Sequence, residues 1–266
     1  MSLSTSITIL LVHGAWHGPW CWKFQIPELQ KAGYDVETAH LPSARGVAGK
    51  TQPDDVEAVR SVLDPLLEAG KRVVVLAHSY GGPIGSAAVL GRSERERAAK
   101  QLPGGVVGLV CLCAFILPGG MDQGAAIKAQ GGLPGLAWDS PSDGLFVPKD
   151  PRGFLFSPDC APDHIDWALP QLRPQSMAAN MGIVPPQAWQ EDAENYANRL
   201  GYIACTDDEA VPYADEMAML NGAGGKEKWI LRELQGSGHS PFLSRPQELA
   251  TVIHEIVEQF QKATAS

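Results

Sequence analysis

Residues 73–82 read Val-Val-Val-Leu-Ala-His-Ser-Tyr-Gly-Gly, and this stretch limits the chain more than any other. Four apolar β-formers run into Ser79, which has Ala77 and Gly81 two residues to either side. A hydroxyl projected from a sharp strand-to-helix turn needs small side chains at those two places, because the backbone folds back on itself there. Lys71 and Arg72 precede a run suited to a strand buried on both faces, and Pro83 stands where a helix would begin. Strand, turn and helix therefore follow one another in the order such a turn requires.

The same alternation extends along the chain. Ile7 to Val12 reads as a first strand ending in the loop His13-Gly14-Ala15-Trp16-His17-Gly18. A helix from Trp20 to Ala32, stopped by Gly33, leads to a second strand from Tyr34 to Ala39. Thr51 to Asp54 resembles a capped helix start, with Val56, Val59, Leu63 and Leu66 at helical spacing behind it. Beyond the serine turn, a charged segment from Arg92 to Lys100 precedes an apolar strand from Val106 to Phe115. Alternation of this kind predicts an α/β fold: a mostly parallel central sheet, right-handed crossovers and helices on both faces.

From Leu117 to Arg199 the alternation stops. Prolines, glycines and scattered aromatics dominate, and helical stretches are short. About eighty residues without structure do not suit a compact domain, so residues 117–199 are expected to form a cap over an apolar pocket, and residues 1–116 with 200–266 to form the core. The sheet resumes at Gly201 to Thr206, a helix is expected to Leu220, and a last strand runs from Lys228 to Leu234. Ser244 to Gln247 resembles a capping box, after which Leu249, Val252, Ile253, Ile256, Val257 and Phe260 trace one helical face.

Three loops at strand ends thus carry Ser79, an aspartate at 207 or 208, and His239. A serine attacks at neutral pH only if an imidazole takes its proton, and the imidazole needs a carboxylate to fix its tautomer. Of the seven histidines, His239 alone follows a late strand within a glycine-rich turn. His13 and His78 are read as loop-holding residues, and His17 as a substrate contact. The pattern leading to Pro212 favours Asp208 over Asp207. Backbone N–H groups of Ala15 and Tyr80 are candidates for an oxyanion hole. Trp16, His17, Trp138, Trp167, Met181 and Phe242 are candidate pocket residues.

These motifs, with Trp20-Cys21-Trp22, Cys205-Thr206-Asp207-Asp208 and Gly238-His239-Ser240, resemble the α/β-hydrolase superfamily, in the branch of plant methylesterases and hydroxynitrile lyases. The resemblance implies an α/β-hydrolase fold and a cofactor-independent serine enzyme with Ser79, Asp208 and His239 as its triad. Ala77 replaces the usual first glycine of the elbow. Lyases of the branch carry a threonine and a lysine where this chain has Gly14 and Ser240, so an esterase of small, largely apolar carboxylic esters or lactones is favoured. A carbon-carbon lyase of the hydroxynitrile or retro-aldol type, and a small-molecule receptor that keeps the triad, are the alternatives. The branch also carries the expectation of a homodimer.

Charge and cysteine usage narrow the partners. A formal net charge of −9 disfavours nucleic acid and anionic membranes. Five cysteines, an odd number without zinc or redox spacing, read as reduced core thiols, with no metal site. Cys111 and Cys113 are expected on one face of a strand. No basic leader precedes the short apolar run from Ile7 to Val12, so a cytoplasmic protein is expected.

Overall fold

The computed structural model describes residues 6–129 and 137–265. Its elements, in chain order, are β1 (Ile7–Val12), a 3₁₀ turn (Pro19–Lys23), α1 (Gln25–Lys31), β2 (Asp35–Ala39), α2 (Gln52–Glu68), β3 (Arg72–His78), α3 (Gly81–Val89), α4 (Glu94–Ala99) and β4 (Gly105–Leu112). A long insert follows, with α5 (Gln123–Ala129), β5 (Trp138–Asp139), β6 (Leu145–Pro148), α6 (Pro151–Phe156), α7 (Pro162–Ala168), β7 (Gln175–Ser176), α8 (Met177–Asn180) and α9 (Ala188–Glu191). The chain closes with β8 (Leu200–Cys205), α10 (Tyr213–Gly222), α11 (Gly225–Lys228), β9 (Trp229–Leu234), α12 (Pro241–Ser244) and α13 (Pro246–Ala265).

The main sheet has six strands in the order β2-β1-β3-β4-β8-β9, every neighbouring pair parallel. Its four inner strands are almost wholly buried, because α1 and α13 pack together on one side while α2 packs on α3 on the other. That double coverage is why β3 and β4 read as continuous apolar runs rather than alternating ones. The chain moves from β1 outward to β2, then returns to the other side of β1 for β3. The sheet therefore changes direction between β1 and β3, and the carboxyl ends of those two strands border the crevice where open α/β sheets bind ligands.

Local departures from the sequence reading have simple causes. The expected helix from Trp20 breaks into the 3₁₀ turn and α1, because Pro27 has no N–H for the bond that a continuous helix would need and is tolerated only in the first turn. The inward stripe of α2 is Val56, Val59, Leu63 and Leu67, with Leu66 only half-buried. The Thr51–Asp54 capping box is present. The charged segment after α3 forms a helix of its own, α4, capped by the Ser93 hydroxyl accepting the Glu96 N–H at 3.1 Å.

β4 stops at Leu112, three residues early, because its end turns to hold the serine loop: Leu112 O accepts the Ser79 N–H at 3.1 Å and the Phe115 N–H donates to Ser79 O at 3.3 Å. Cys113 then takes a positive φ of 35°, so Cys111 and Cys113 do not share a strand face. In place of the capping box expected at Ser244, that residue ends α12, with its hydroxyl donating to Ser240 O at 3.4 Å. The insert carries a small antiparallel sheet, β5-β6-β7. No helix among the described residues is long and apolar enough to cross a membrane.

Candidate active site

Ser79 sits between β3 and α3 with φ +54°, a left-handed conformation that a non-glycine residue adopts only when its surroundings enforce it. Those surroundings are tight. A Cβ at Gly81 would lie 2.7 Å from the carbonyl oxygen of His13, and one at Gly82 would lie 2.4 Å from that of Phe115. The methyl of Ala77 fits because the residue facing it is Gly85, where an added Cβ would come within 2.8 Å of it.

His239 Nε2 accepts the hydroxyl of Ser79 at 2.9 Å, and its Nδ1 donates to Asp208 Oδ2 at 2.6 Å. All three side chains are buried. The other carboxylate oxygen of Asp208 accepts the N–H groups of Ala210 and Val211 at 2.7 and 2.8 Å, so the carboxylate cannot swing away from the imidazole. Asp207 is exposed and accepts the Thr206 hydroxyl at 3.1 Å. The two acid- and histidine-bearing loops meet because Cys205 pairs with Leu234 at the ends of β8 and β9, and the Asp207 N–H then bonds Ser237 O. His78 Nε2 donates to the carbonyl of His239 at 2.9 Å, which fixes the backbone on which the imidazole is mounted.

The loop after β1 faces this group. His13 Nε2 accepts the Leu41 N–H at 3.2 Å, so its proton is on Nδ1, which donates to Gly14 O at 2.9 Å. His17 Nδ1 donates to Ala15 O at 2.7 Å. Burial holds both rings neutral, with pKa values pushed down to about 3 for His13 and about 4 for His17. Among the described residues, no hydrogen bond occupies the N–H of Ala15 or of Tyr80, so two backbone donors stand free beside Ser79. A nucleophile, a base oriented by a carboxylate, and free amides form the set that acyl transfer requires.

Comparison with known proteins gives the family. Residues 9–252 match the model of the alpha/beta hydrolase family. The chain belongs to that family. It is 28% identical to Methylesterase 7 of Arabidopsis thaliana, over 94% of this chain and 96% of that one. It is 27% identical to Norfluorocurarine synthase 2 of Strychnos sp, over 94% and 95%. Among solved structures, an Arabidopsis methylesterase superposes with a TM-score of 0.70 at 20% identity, covering 95% of this chain and 99% of that one.

Within this hydrolase framework the six candidate pocket residues divide. The Trp16 ring meets Phe146 and Phe154 edge-on, while His17 stacks on Trp20 and meets Phe156 and Phe242 edge-on. Phe242 also packs against His78. His17 and Phe242 thus join one aromatic shell around His78 of the serine loop, while Trp16 belongs to a second cluster with Phe146 and Phe154. Trp167 instead packs on Trp20 and Phe24 under the Lys23 ammonium, Trp138 is exposed, and Met181 lies against Gly124.

Three buried polar residues near the site carried no sequence signal. Glu216 on α10 is fully buried; desolvation, and then the charge of Asp208, push its carboxyl well above the usual range. Asp55 on α2 and Gln175 on β7 are also fully buried, and burial raises the Asp55 carboxyl against the hydrogen bonds that it accepts. All five cysteines are buried thiols. Among the described residues, the one His/Cys/acid group close enough to consider for a metal, His78 with Cys113 and His239, does not suit one. Both ring nitrogens of His239 are engaged, and His78 Nε2 and Cys113 Sγ both point at the His239 carbonyl.

Proposed function

We propose that the protein hydrolyses a carboxylic ester or lactone of a small, largely apolar substrate, with Ser79, His239 and Asp208 as its triad. The observation that carries this reading is the unbroken hydrogen-bonded series from Ser79 Oγ through His239 to Asp208, with the free amides of Ala15 and Tyr80 beside it. His239 Nε2 takes the hydroxyl proton as Ser79 Oγ attacks the carbonyl carbon, and Asp208 stabilises the imidazolium that results. The Ala15 and Tyr80 N–H groups receive the developing oxyanion. His239 then returns its proton to the leaving alcohol, draws another from the water that attacks the acyl carbon, and gives it to Ser79 Oγ as the bond from that oxygen to the acyl carbon breaks.

Residues 117–199 act in this reading as a cap, and the rings of Trp16, His17 and Phe242 with Phe146 and Phe154 favour apolar acyl or alcohol groups. The esterase names of relatives such as Methylesterase 7 support the same reaction. Lyase chemistry is disfavoured at two positions. A Cβ at Gly14 would lie 2.9 Å from that of Ser79, which leaves no room for a threonine there without rearrangement, and Ser240 is buried with its hydroxyl donating to Leu155 O at 2.8 Å. Five reduced, buried thiols support a cytoplasmic location.

A panel of p-nitrophenyl esters and a fluorophosphonate probe test the reading. Turnover and labelling are expected in the wild type, and both should be lost in Ser79→Ala. A wild type that does neither overturns it.

A further inference from the structure

Trp16, next to the candidate oxyanion donor Ala15, holds a positive φ of 61°, which a tryptophan does not keep without support. The support comes from the insert. The Arg173 N–H donates to Trp16 O at 2.9 Å, the Trp16 N–H donates to Gln175 Oε1 at 3.3 Å, and the Trp16 indole N–H donates to Phe146 O at 3.1 Å. The main-chain N–H and C=O of this residue are thus both held by residues of one short segment, 173–175.

Gln175 continues the connection inward. Its Nε2 donates to Ser43 Oγ at 2.8 Å, and Ser43 Oγ donates to Asp55 Oδ2 at 2.5 Å. The same Asp55 oxygen accepts the Tyr80 hydroxyl at 2.6 Å, while Asp55 Oδ1 accepts the Ser43 N–H at 3.0 Å. An amide flip of Gln175 would set its NH₂ against the Trp16 N–H, so the relay has one polarity. All of its side chains are buried. It begins at the residue after one candidate oxyanion donor, Ala15, and ends on the side chain of the other, Tyr80.

We propose that Gln175 and Asp55 are positioning residues that set the spacing of the Ala15 and Tyr80 amides, so that the cap is a working part of the oxyanion hole. This rests on the hydrolase reading. Neither side chain touches substrate; each acts by holding backbone donors that do. A small displacement of such donors lowers the rate of reaction without altering ground-state binding, because the oxyanion exists only beyond the ground state.

The test compares Tyr80→Phe, Gln175→Met and their double variant with the wild type, on an ester that the wild type hydrolyses and by the rate of Ser79 labelling with a fluorophosphonate. Each single variant is expected to lose kcat by roughly 10- to 100-fold, with KM within about twofold and labelling slowed in proportion. The double variant should lose no more than the worse single one, because the relay acts as a unit. Asp55→Asn is a further probe where it folds, but the first two carry the decision. A wild type active on esters with single variants within about threefold of it in kcat and labelling, losses confined to KM, or losses that multiply in the double variant each overturn the proposal. An inert wild type overturns the hydrolase reading, and the catalytic role of the relay with it.

Discussion

A histidine buried in a neutral state makes folding sensitive to acid. His13 accepts a backbone N–H at one nitrogen and donates at the other, so a second proton would have to break a bond inside the core. With its pKa pushed down to about 3, folded His13 stays neutral over a range in which the unfolded chain takes up a proton. The stability it contributes is therefore complete above the unfolded value and lost as pH falls below it. Relative to His13→Asn, the wild-type advantage in urea unfolding should be constant above about pH 6.5 and shrink by about 1.4 kcal/mol per pH unit below it. An advantage that does not change between about pH 7.5 and about pH 5 would contradict this account. Asp208→Asn tests the other ionisable contact. The amide would present Nδ2 or lose its hold on the Nδ1–H tautomer, and kcat is expected to fall on the order of 10³- to 10⁴-fold on the same ester panel, with little change in melting temperature. At this scale the meeting of Ser79, Asp208 and His239 was legible, since the loops that carry them follow strands of one sheet. Asp55 and Gln175 were not. An aspartate after Asp54 in a first helical turn reads as ordinary compensation of the helix dipole, and nothing near Gln175 in sequence marks it as buried.

The strand-turn-helix of β3 and α3 shows how an element absorbs a departure from its motif. Ala77 stands where a glycine is usual, and the room for its methyl is supplied across the turn by Gly85. Gly85→Ala should therefore destabilise the protein by about 1–3 kcal/mol through overpacking, despite the gain of about 1 kcal/mol that alanine brings to a helix interior. In an Ala77→Gly background the same substitution should become neutral or stabilising, and a double-mutant cycle by urea denaturation reads the coupling directly. Additive effects would mean that the two positions do not share this space. The elements themselves were readable wherever periodicity and caps agreed, as for α2 with its Thr51–Asp54 box and for the buried runs of β1 and β3. They were misread where tertiary bonds cut across periodicity. The end of β4 is set by its bonds to Ser79, which no local pattern in Val106 to Phe115 discloses.

For the molecule as a whole, the β1–β3 direction change puts the two loops of the site side by side, whereas the insert reaches them from elsewhere in the sequence. The inner strands β1, β3 and β4 are buried along almost their whole length, while β5 and β7 contribute two residues each. Such a division predicts two tiers of stability. Backbone amides of β1, β3 and β4 should exchange with solvent only through global unfolding, and those of β5 to β7 through a cheaper local opening. In the proposed reading, reaction of Ser79 with a phosphonate places an oxyanion-like group between the Ala15 and Tyr80 amides. If segment 173–175 braces Trp16 as its bonds indicate, the adduct should slow exchange in residues 173–176 together with residues 14–17, although these lie far apart in the chain. Hydrogen exchange followed by mass spectrometry separates the outcomes. Protection confined to the loop after β1, with the 173–176 segment unchanged, would mean that this segment has no share in the chemistry of the site.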